Sequence, residues 1–259
     1  MNFNGISIMA WLLKHKGYSS SIILPIKYAK LAITKNYWQE SSVSFYYLGK
    51  NLKINYLGGL SMLDEIFIQN KYAVELNEKN PIIFDVGANV GFFSIWASQY
   101  YGQLTPIIYA YEPVHKVYDI LSKNTENNHL NNIHIFNKGL SDKNNSSIIY
   151  LSYAAGLSSI STKTNTKEEI QVSKLIDEIL AHKIKKINLL KIDTEGSEVP
   201  ILKSYFNSNS KIFIENIVLE YHSLEDLKII KEILLSNNYS ITHIDSGNIG
   251  VLIAKLNEL

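Results

Sequence analysis

Pro81-Ile82-Ile83-Phe84-Asp85-Val86-Gly87-Ala88-Asn89-Val90-Gly91-Phe92-Phe93-Ser94-Ile95-Trp96 is the stretch whose reading decides the fold. Ile82 to Phe84 is a short apolar run of β-branched and aromatic residues without charge, the pattern of a strand buried on both faces. It stops at Asp85. Gly87 and Gly91 then bracket a small-residue turn, and Phe92, Phe93, Ile95 and Trp96 resume at helical spacing. Strand, glycine turn and helix form the nucleotide-binding opening of a doubly wound sheet.

The turn also constrains which nucleotide it suits. A dinucleotide fingerprint, G-x-G-x-x-G, lets the backbone approach a pyrophosphate at a helix N-terminus. Here Asn89 and Phe92 occupy its third and sixth positions. Asp85 adds a carboxylate that repels a diphosphate and attracts a cation. The pattern Asp-x-Gly-x-Asn-x-Gly, at Asp85, Gly87, Asn89 and Gly91, resembles motif I of class I methyltransferases. Their cofactor, S-adenosylmethionine, carries an ammonium and a sulfonium and no phosphate. The bland alternative is a glycine pair in an ordinary βα turn.

The 259 residues, 46% of them hydrophobic, suffice for one large α/β domain and an appendage. We divide the chain into an N-terminal extension of helices and a β-hairpin, 1–78, and a nucleotide-binding domain, 79–259. With 25 basic against 24 acidic residues, net charge gives no reason to expect a nucleic-acid partner. All the basic residues are lysine, so bidentate arginine forks are excluded. The absence of cysteine removes disulfides, thiolate nucleophiles and Cys-ligated zinc. No apolar run reaches the roughly 18 residues of a spanning helix, and the first residues lack the basic start of a secretory signal. A cytoplasmic location is expected.

Residues 1 to about 40 read as two amphipathic helices. Docking on the neighbouring domain is preferred over peripheral binding to a membrane surface. Val43–Leu48 and Leu52–Leu57 alternate around a turn expected at Gly49-Lys50-Asn51, a β-hairpin. Beyond the opening unit, Ile107–Tyr111 is a second strand that ends at Glu112-Pro113. An acidic residue there, about twenty residues past a glycine turn, accepts from ribose hydroxyls. Ile133–Phe136 is a third strand, and a polar stretch from Ala154 to Thr164 is a long loop. The strand Ile187–Ile192 runs into Asp193, Glu195 and Glu198. Asp193 and Glu195 project from its C-terminal end, and Glu198 falls where a carboxylate stabilises a helix start. Glu220 and His222 lie two residues apart on one face of a later strand.

Asp85-Val86-Gly87-Ala88-Asn89-Val90-Gly91, Tyr111-Glu112-Pro113, Leu190 to Glu198 and a late Glu220-x-His222, in that order, resemble the FkbM family of S-adenosylmethionine-dependent methyltransferases. The likeness covers roughly residues 65 to 225. It implies a Rossmann-like class I methyltransferase fold with a mostly parallel seven-stranded sheet. It also implies O-methylation of a hydroxyl on a sugar, glycan or secondary metabolite. On this resemblance Asp85, Gly87, Asn89 and Gly91, with Ala88 and Phe92 of the same turn, contact the methionine end of the cofactor. Glu112 with Pro113 holds the ribose, and Ser141 with Asp142 sits beside the adenine. Residues 1–60 fall outside the likeness and are expected to shape substrate choice.

Methyl transfer to an alcohol needs an aligned oxygen and a destination for its proton. His222 is the first choice of base, since an unperturbed imidazole titrates near 6.5. Asp193 either orients it or contacts the cofactor's amino group. Asp193, Glu195, Glu220 and His222 together also offer ligands for a divalent cation, although the metal-free reading is preferred. An NAD-dependent oxidoreductase and a non-catalytic member that binds a glycan or partner stay open, as does a homodimer.

Overall fold

A computed structural model describes residues 40–57, 61–151, 165–208, 210 and 212–258. The helices expected before residue 40 and the polar loop expected at 154–164 lie outside the described residues. The hairpin, β1 (Ser41–Tyr47) and β2 (Lys50–Tyr56), precedes a short helical segment, Ser61–Leu63 continuing as wider turns over Asp64–Ile68. Two βα units follow, β3 (Ile82–Val86) with α1 (Phe92–Tyr100) and β4 (Ile107–Tyr111) with α2 (His115–Asn127), and lead into β5 (Ile133–Phe136). A separate small sheet, β6 (Gly139–Ser141), β7 (Asn145–Tyr150) and β8 (Lys167–Lys174), leads to α3 (Leu175–Ala181). The chain finishes with β9 (Lys186–Ile192), α4 (Glu198–Phe206), β10 (Phe213–Tyr221), α5 (Leu224–Ser236), β11 (Tyr239–Ile244) and β12 (Gly250–Leu256).

Seven strands form one sheet in the order β11-β12-β10-β9-β3-β4-β5. All neighbours are parallel except β12, which runs antiparallel to both β10 and β11 because a short connection folds it straight back. This is the mostly parallel class I methyltransferase sheet the sequence implied. From β3 the chain goes to β4 and β5 on one side, then crosses to β9 on the other. Connections therefore diverge between β3 and β9 and leave a crevice at their C-terminal ends.

Side chains alternate across the strands and divide the interior in two. Ile83, Ile108, Ala110 and Val218 join the core under α1 and α2, while Phe84, Val86, Tyr111, Ile217 and Leu219 join the one under α3, α4 and α5. The hairpin adds Phe45, Tyr47, Leu52, Ile54 and Tyr56 to the first core. Its turn is shorter than expected. Tyr47 pairs with Lys50, so only Leu48 and Gly49 form the loop, with φ of 44° and 85°. Two left-handed residues make the tight turn whose twist matches that of the strands it joins, which displaces the expected Gly49–Asn51 turn.

At the crevice Asp193 N–H donates to the Val86 carbonyl at 3.0 Å, carrying the β3–β9 pairing past the strand ends. The backbones then stay so close that a Cβ on Gly87, at φ 77°, would lie 1.8 Å from the Asp193 carbonyl oxygen. Substituting Gly87→Ala is expected to lower unfolding free energy by roughly 3 kcal/mol or more, from overlap together with a left-handed backbone. Urea denaturation measures it, and a loss below about 1 kcal/mol would show that the strand ends can separate freely.

Candidate functional site

The turn after β3 uses up its own donors. Gly87 and Ala88 N–H donate to the Tyr111 carbonyl at 3.0 and 2.9 Å, and Gly91 N–H to the Ala88 carbonyl at 2.9 Å. Asn89 N–H donates to Glu112 Oε2 at 2.9 Å, and Val90 N–H to Asn89 Oδ1 at 2.8 Å. Every N–H from Gly87 to Gly91 is therefore engaged within the protein, so the bend has no amide cradle for a phosphate. The left-handed φ values at Gly87, Asn89 and Gly91 (77°, 52° and 91°) agree with the glycine spacing read from the sequence.

Asp85 supports this turn from beneath. It is fully buried, accepts from Ser94 Oγ at 2.6 Å and forms an ion pair with Lys191 Nζ at 3.1 Å. Its carboxylate does not line the crevice, so it does not supply the open negative charge expected of it. Lys191 also donates to the Gly87 carbonyl at 2.7 Å and faces Asp193 Oδ2 at 3.6 Å. Burial alone would discharge this ammonium, but Asp85 and Asp193 reverse the effect and raise its pKa.

Above the turn lies a cleft with a cavity volume of about 70 Å³. Glu112, Asp193 and Glu195 line it, and none of its described lining residues is basic. The opposite wall is apolar: Val114 just before α2 and Val117 within it, with Leu140, Ile149 and Ile170 of the small sheet. Glu112 spans the junction, its Oε1 accepting from Val114 N–H at 2.9 Å and its Oε2 from Asn89 N–H. Burial pushes its carboxyl up to about 7, although those two N–H groups pull it down. Each oxygen keeps a second lone-pair direction for a ligand hydroxyl.

Beside the cleft, the ends of β9 and β10 bring together a second group. His222 Nδ1 lies 3.5 Å from Glu195 Oε2, and its Nε2 lies 3.5 Å from Glu198 Oε1 and 3.9 Å from Asp193 Oδ1. Burial disfavours the imidazolium, yet contact with Glu198 and the charges of Glu195, Glu198 and Asp193 raise its pKa to about 9. Burial raises Glu195 to about 7, against the pull of His222. Glu220 is raised to about 7 by burial and Asp193. Tyr72 donates to Glu220 Oε2 at 3.2 Å.

Of the residues singled out in the sequence, Gly87, Asn89, Glu112, Pro113, Asp193 and Glu195 line the cleft. Ala88 and Phe92 are buried, and neither they nor Gly91 line it. Ser141 and Asp142 lie just past the lining residues Gly139 and Leu140, bonded to each other at 3.2 Å. His222 and Glu220 belong to the adjoining group. Glu198 caps its own turn, accepting from Thr194 N–H, Thr194 Oγ1 and Gly196 N–H, while also facing His222. Sequence reading missed Lys191 and Tyr72. A lysine set between Leu190 and Ile192 is a legible anomaly, whereas Tyr72 gives no local signal.

The model of the methyltransferase FkbM domain matches residues 85–241. Methyltransferase 1 of Beauveria bassiana (strain ARSEF 2860) is 26% identical over 200 residues, covering 68% of this chain and 79% of that relative. Methyltransferase sdnD of Sordaria araneosa is 28% identical over 191 residues, covering 60% and 72%. Among solved structures, methyltransferase FkbM from Methylobacillus flagellatus KT superposes with a TM-score of 0.48 at 16% identity, over 74% of this chain and 47% of that one. The family match opens at the carboxylate beneath the glycine turn and runs into β11, taking in the end of β3, all of β9 and more than half of the sequence. This chain is a methyltransferase and belongs to the FkbM family.

Proposed function

We propose that the methyltransferase uses S-adenosylmethionine to methylate a hydroxyl oxygen of a sugar, glycan or other small metabolite, with residues 1–78 as an extension of the 79–259 catalytic domain. The observation that carries the cofactor assignment is electrostatic. The cleft presents three carboxylates, no described basic side chain and a glycine turn whose N–H groups are already bonded. That suits a cationic nucleoside and disfavours the diphosphate of NAD. Glu112 would accept from the ribose hydroxyls, the Val114–Ile170 wall would flank the adenine, and Asp193 with Gly87 and Asn89 would meet the methionine end. When bound, the cofactor supplies a methyl group on a good leaving group.

The protein must hold the acceptor oxygen in line and receive its proton. His222 keeps its own proton near neutral pH, since its pKa is about 9. Glu195 and Glu220, raised to about 7, are better matched to accept one there. His222 then serves as the charge that lets neighbouring carboxylates ionise, in place of the base role expected from its unperturbed pKa.

One observation favours a second version. Donor atoms of Asp193, Glu195 and His222 lie within 4.8 Å of one another, a set that could hold a divalent cation beside the acceptor. In that version a chelator abolishes turnover and Mg²⁺ or Mn²⁺ restores it. Full turnover after exhaustive chelation supports the metal-free version.

For the cofactor, S-adenosylhomocysteine should raise the melting temperature and NAD should not. Glu112→Gln should weaken S-adenosylhomocysteine binding roughly tenfold or more, the usual scale for a charged hydrogen bond. Unchanged affinity in a calorimetric titration would remove Glu112 from the site.

The pH dependence has a definite sign. The folded state holds protons more tightly at Glu112, Glu195 and Glu220 (about 7 against 4.5) and at His222 (about 9 against 6.5). The stability His222 provides is complete below 6.5 and lost as pH rises through about 9. Each glutamate becomes destabilising as pH rises from 4.5 to about 7. The melting temperature of the cofactor-free protein should therefore fall from about pH 6 to about pH 9, and less steeply in Glu195→Gln. A flat or rising profile in the wild type would contradict these assignments.

A further inference from the structure

The outer edge of β2 is bound by two asparagines, Asn124 of α2 and Asn128 at its C-terminal end. Asn124, fully buried, accepts from Asn55 N–H at 2.7 Å and donates to the Asn55 carbonyl at 2.8 Å. One helical turn later Asn128 does the same to Lys53, at 2.9 and 2.8 Å. The match is geometric: two strand residues advance about 6.7 Å and four helix residues about 6 Å. The two asparagines differ in their remaining bond. Asn128 Nδ2 returns to the Asn124 carbonyl at 2.7 Å, whereas Asn124 Nδ2 reaches the Val90 carbonyl, inside the glycine turn, at 2.7 Å.

Val90 is 2% exposed and sits between Asn89 and Gly91, both left-handed. Its N–H is held by Asn89 Oδ1 and its carbonyl by Asn124. Without Asn124 that carbonyl is buried and unsatisfied, and rotating the Val90–Gly91 peptide to find a partner would break the Gly91 N–H bond to the Ala88 carbonyl, which closes the turn across Asn89. Asn89 lines the cleft. We propose that Asn124 is a positioning residue for the cofactor turn, through which the β1–β2 hairpin sets cofactor affinity. The hairpin thereby acts on the cofactor side of the reaction, besides any part the extension has in choosing the acceptor. This inference rests on the S-adenosylmethionine reading above.

The test is calorimetric titration of S-adenosylhomocysteine into wild type, Asn124→Leu, Asn55→Pro and Asn128→Ala, with a melting temperature for each. Proline at residue 55 removes the N–H that Asn124 Oδ1 accepts and sets its ring against that oxygen, so it disturbs the join between hairpin and helix while Asn124 and Val90 themselves are unchanged. Expected are a dissociation constant raised roughly tenfold in Asn124→Leu and about threefold in Asn55→Pro. Asn128→Ala should stay within about twofold despite losing similar thermal stability. Wild-type affinity in a folded Asn124→Leu overturns the inference, as does an Asn128→Ala that weakens binding equally. Should Asn124→Leu not fold, Asn55→Pro decides, and unchanged affinity there is fatal. A wild type that ignores S-adenosylhomocysteine refutes the cofactor reading itself and this inference with it.

Discussion

The site depends on one buried ammonium. Lys191 sits at the point where chain connections diverge, and its three protons face the Gly87 carbonyl, Asp85 and Asp193 at 2.7, 3.1 and 3.6 Å. Each contact fastens something different: the glycine turn, the end of β3 and the carboxylate that opens the β9 loop. Taking an ammonium and a carboxylate out of water is expensive, and such a pair is retained only where its remaining hydrogen bonds are also made. Here Ser94 donates to Asp85 Oδ2, while Oδ1 meets the Lys191 ammonium as an ion pair. The arrangement also removes Asp85 from the field seen by a ligand, which leaves Glu112, Asp193 and Glu195 to set the charge of the cleft.

Much of this was legible in the sequence, for physical reasons that can be named. Gly87 and Gly91 announced left-handed backbone, and the acidic ends of β4 and β9 announced the ligand edge of a parallel sheet, because both follow from local geometry. Asp85 was read as an open carboxylate because its partner lies more than a hundred positions away in the chain. Nothing near residue 85 says that a lysine will arrive beneath it. The surroundings of His222 were hidden in the same way: three carboxylates crowd its imidazole and raise its pKa, and that crowding exists only once β9 and β10 are side by side. The hairpin was found by alternation, while its turn slipped because strand twist, and not the run Gly49-Lys50-Asn51, selects the loop.

The turn's hydrogen bonds also separate two chemistries that share this fold. A dinucleotide site leaves backbone N–H groups pointing outward for phosphate oxygens. Here Tyr111, Glu112, Asn89 and Ala88 have taken them, so the bend is rigid and its remaining polarity is that of oxygens. A ligand rich in positive charge gains there. One rich in negative charge must displace bonds the protein already makes.

The family match begins at Asp85, yet two supports of the site come from before it. Tyr72 donates to Glu220 beside the cleft, and the β2 edge reaches Val90 of the glycine turn through Asn124. The intervening segment is itself tied down, by Trp96 Nε1 to Asn70 Oδ1 at 3.1 Å and by Lys71 to Glu65 and Asp245 at 3.4 and 3.0 Å. A methyl transfer requires both reactants to be held against one another, since small misalignments are costly in rate. Residues 41–57 and 62–72 touch both halves and share a core with α1 and α2. A displacement of that segment would therefore reach Glu220 and Val90 together, so its packing bears on the cleft and on the adjoining carboxylate group at once.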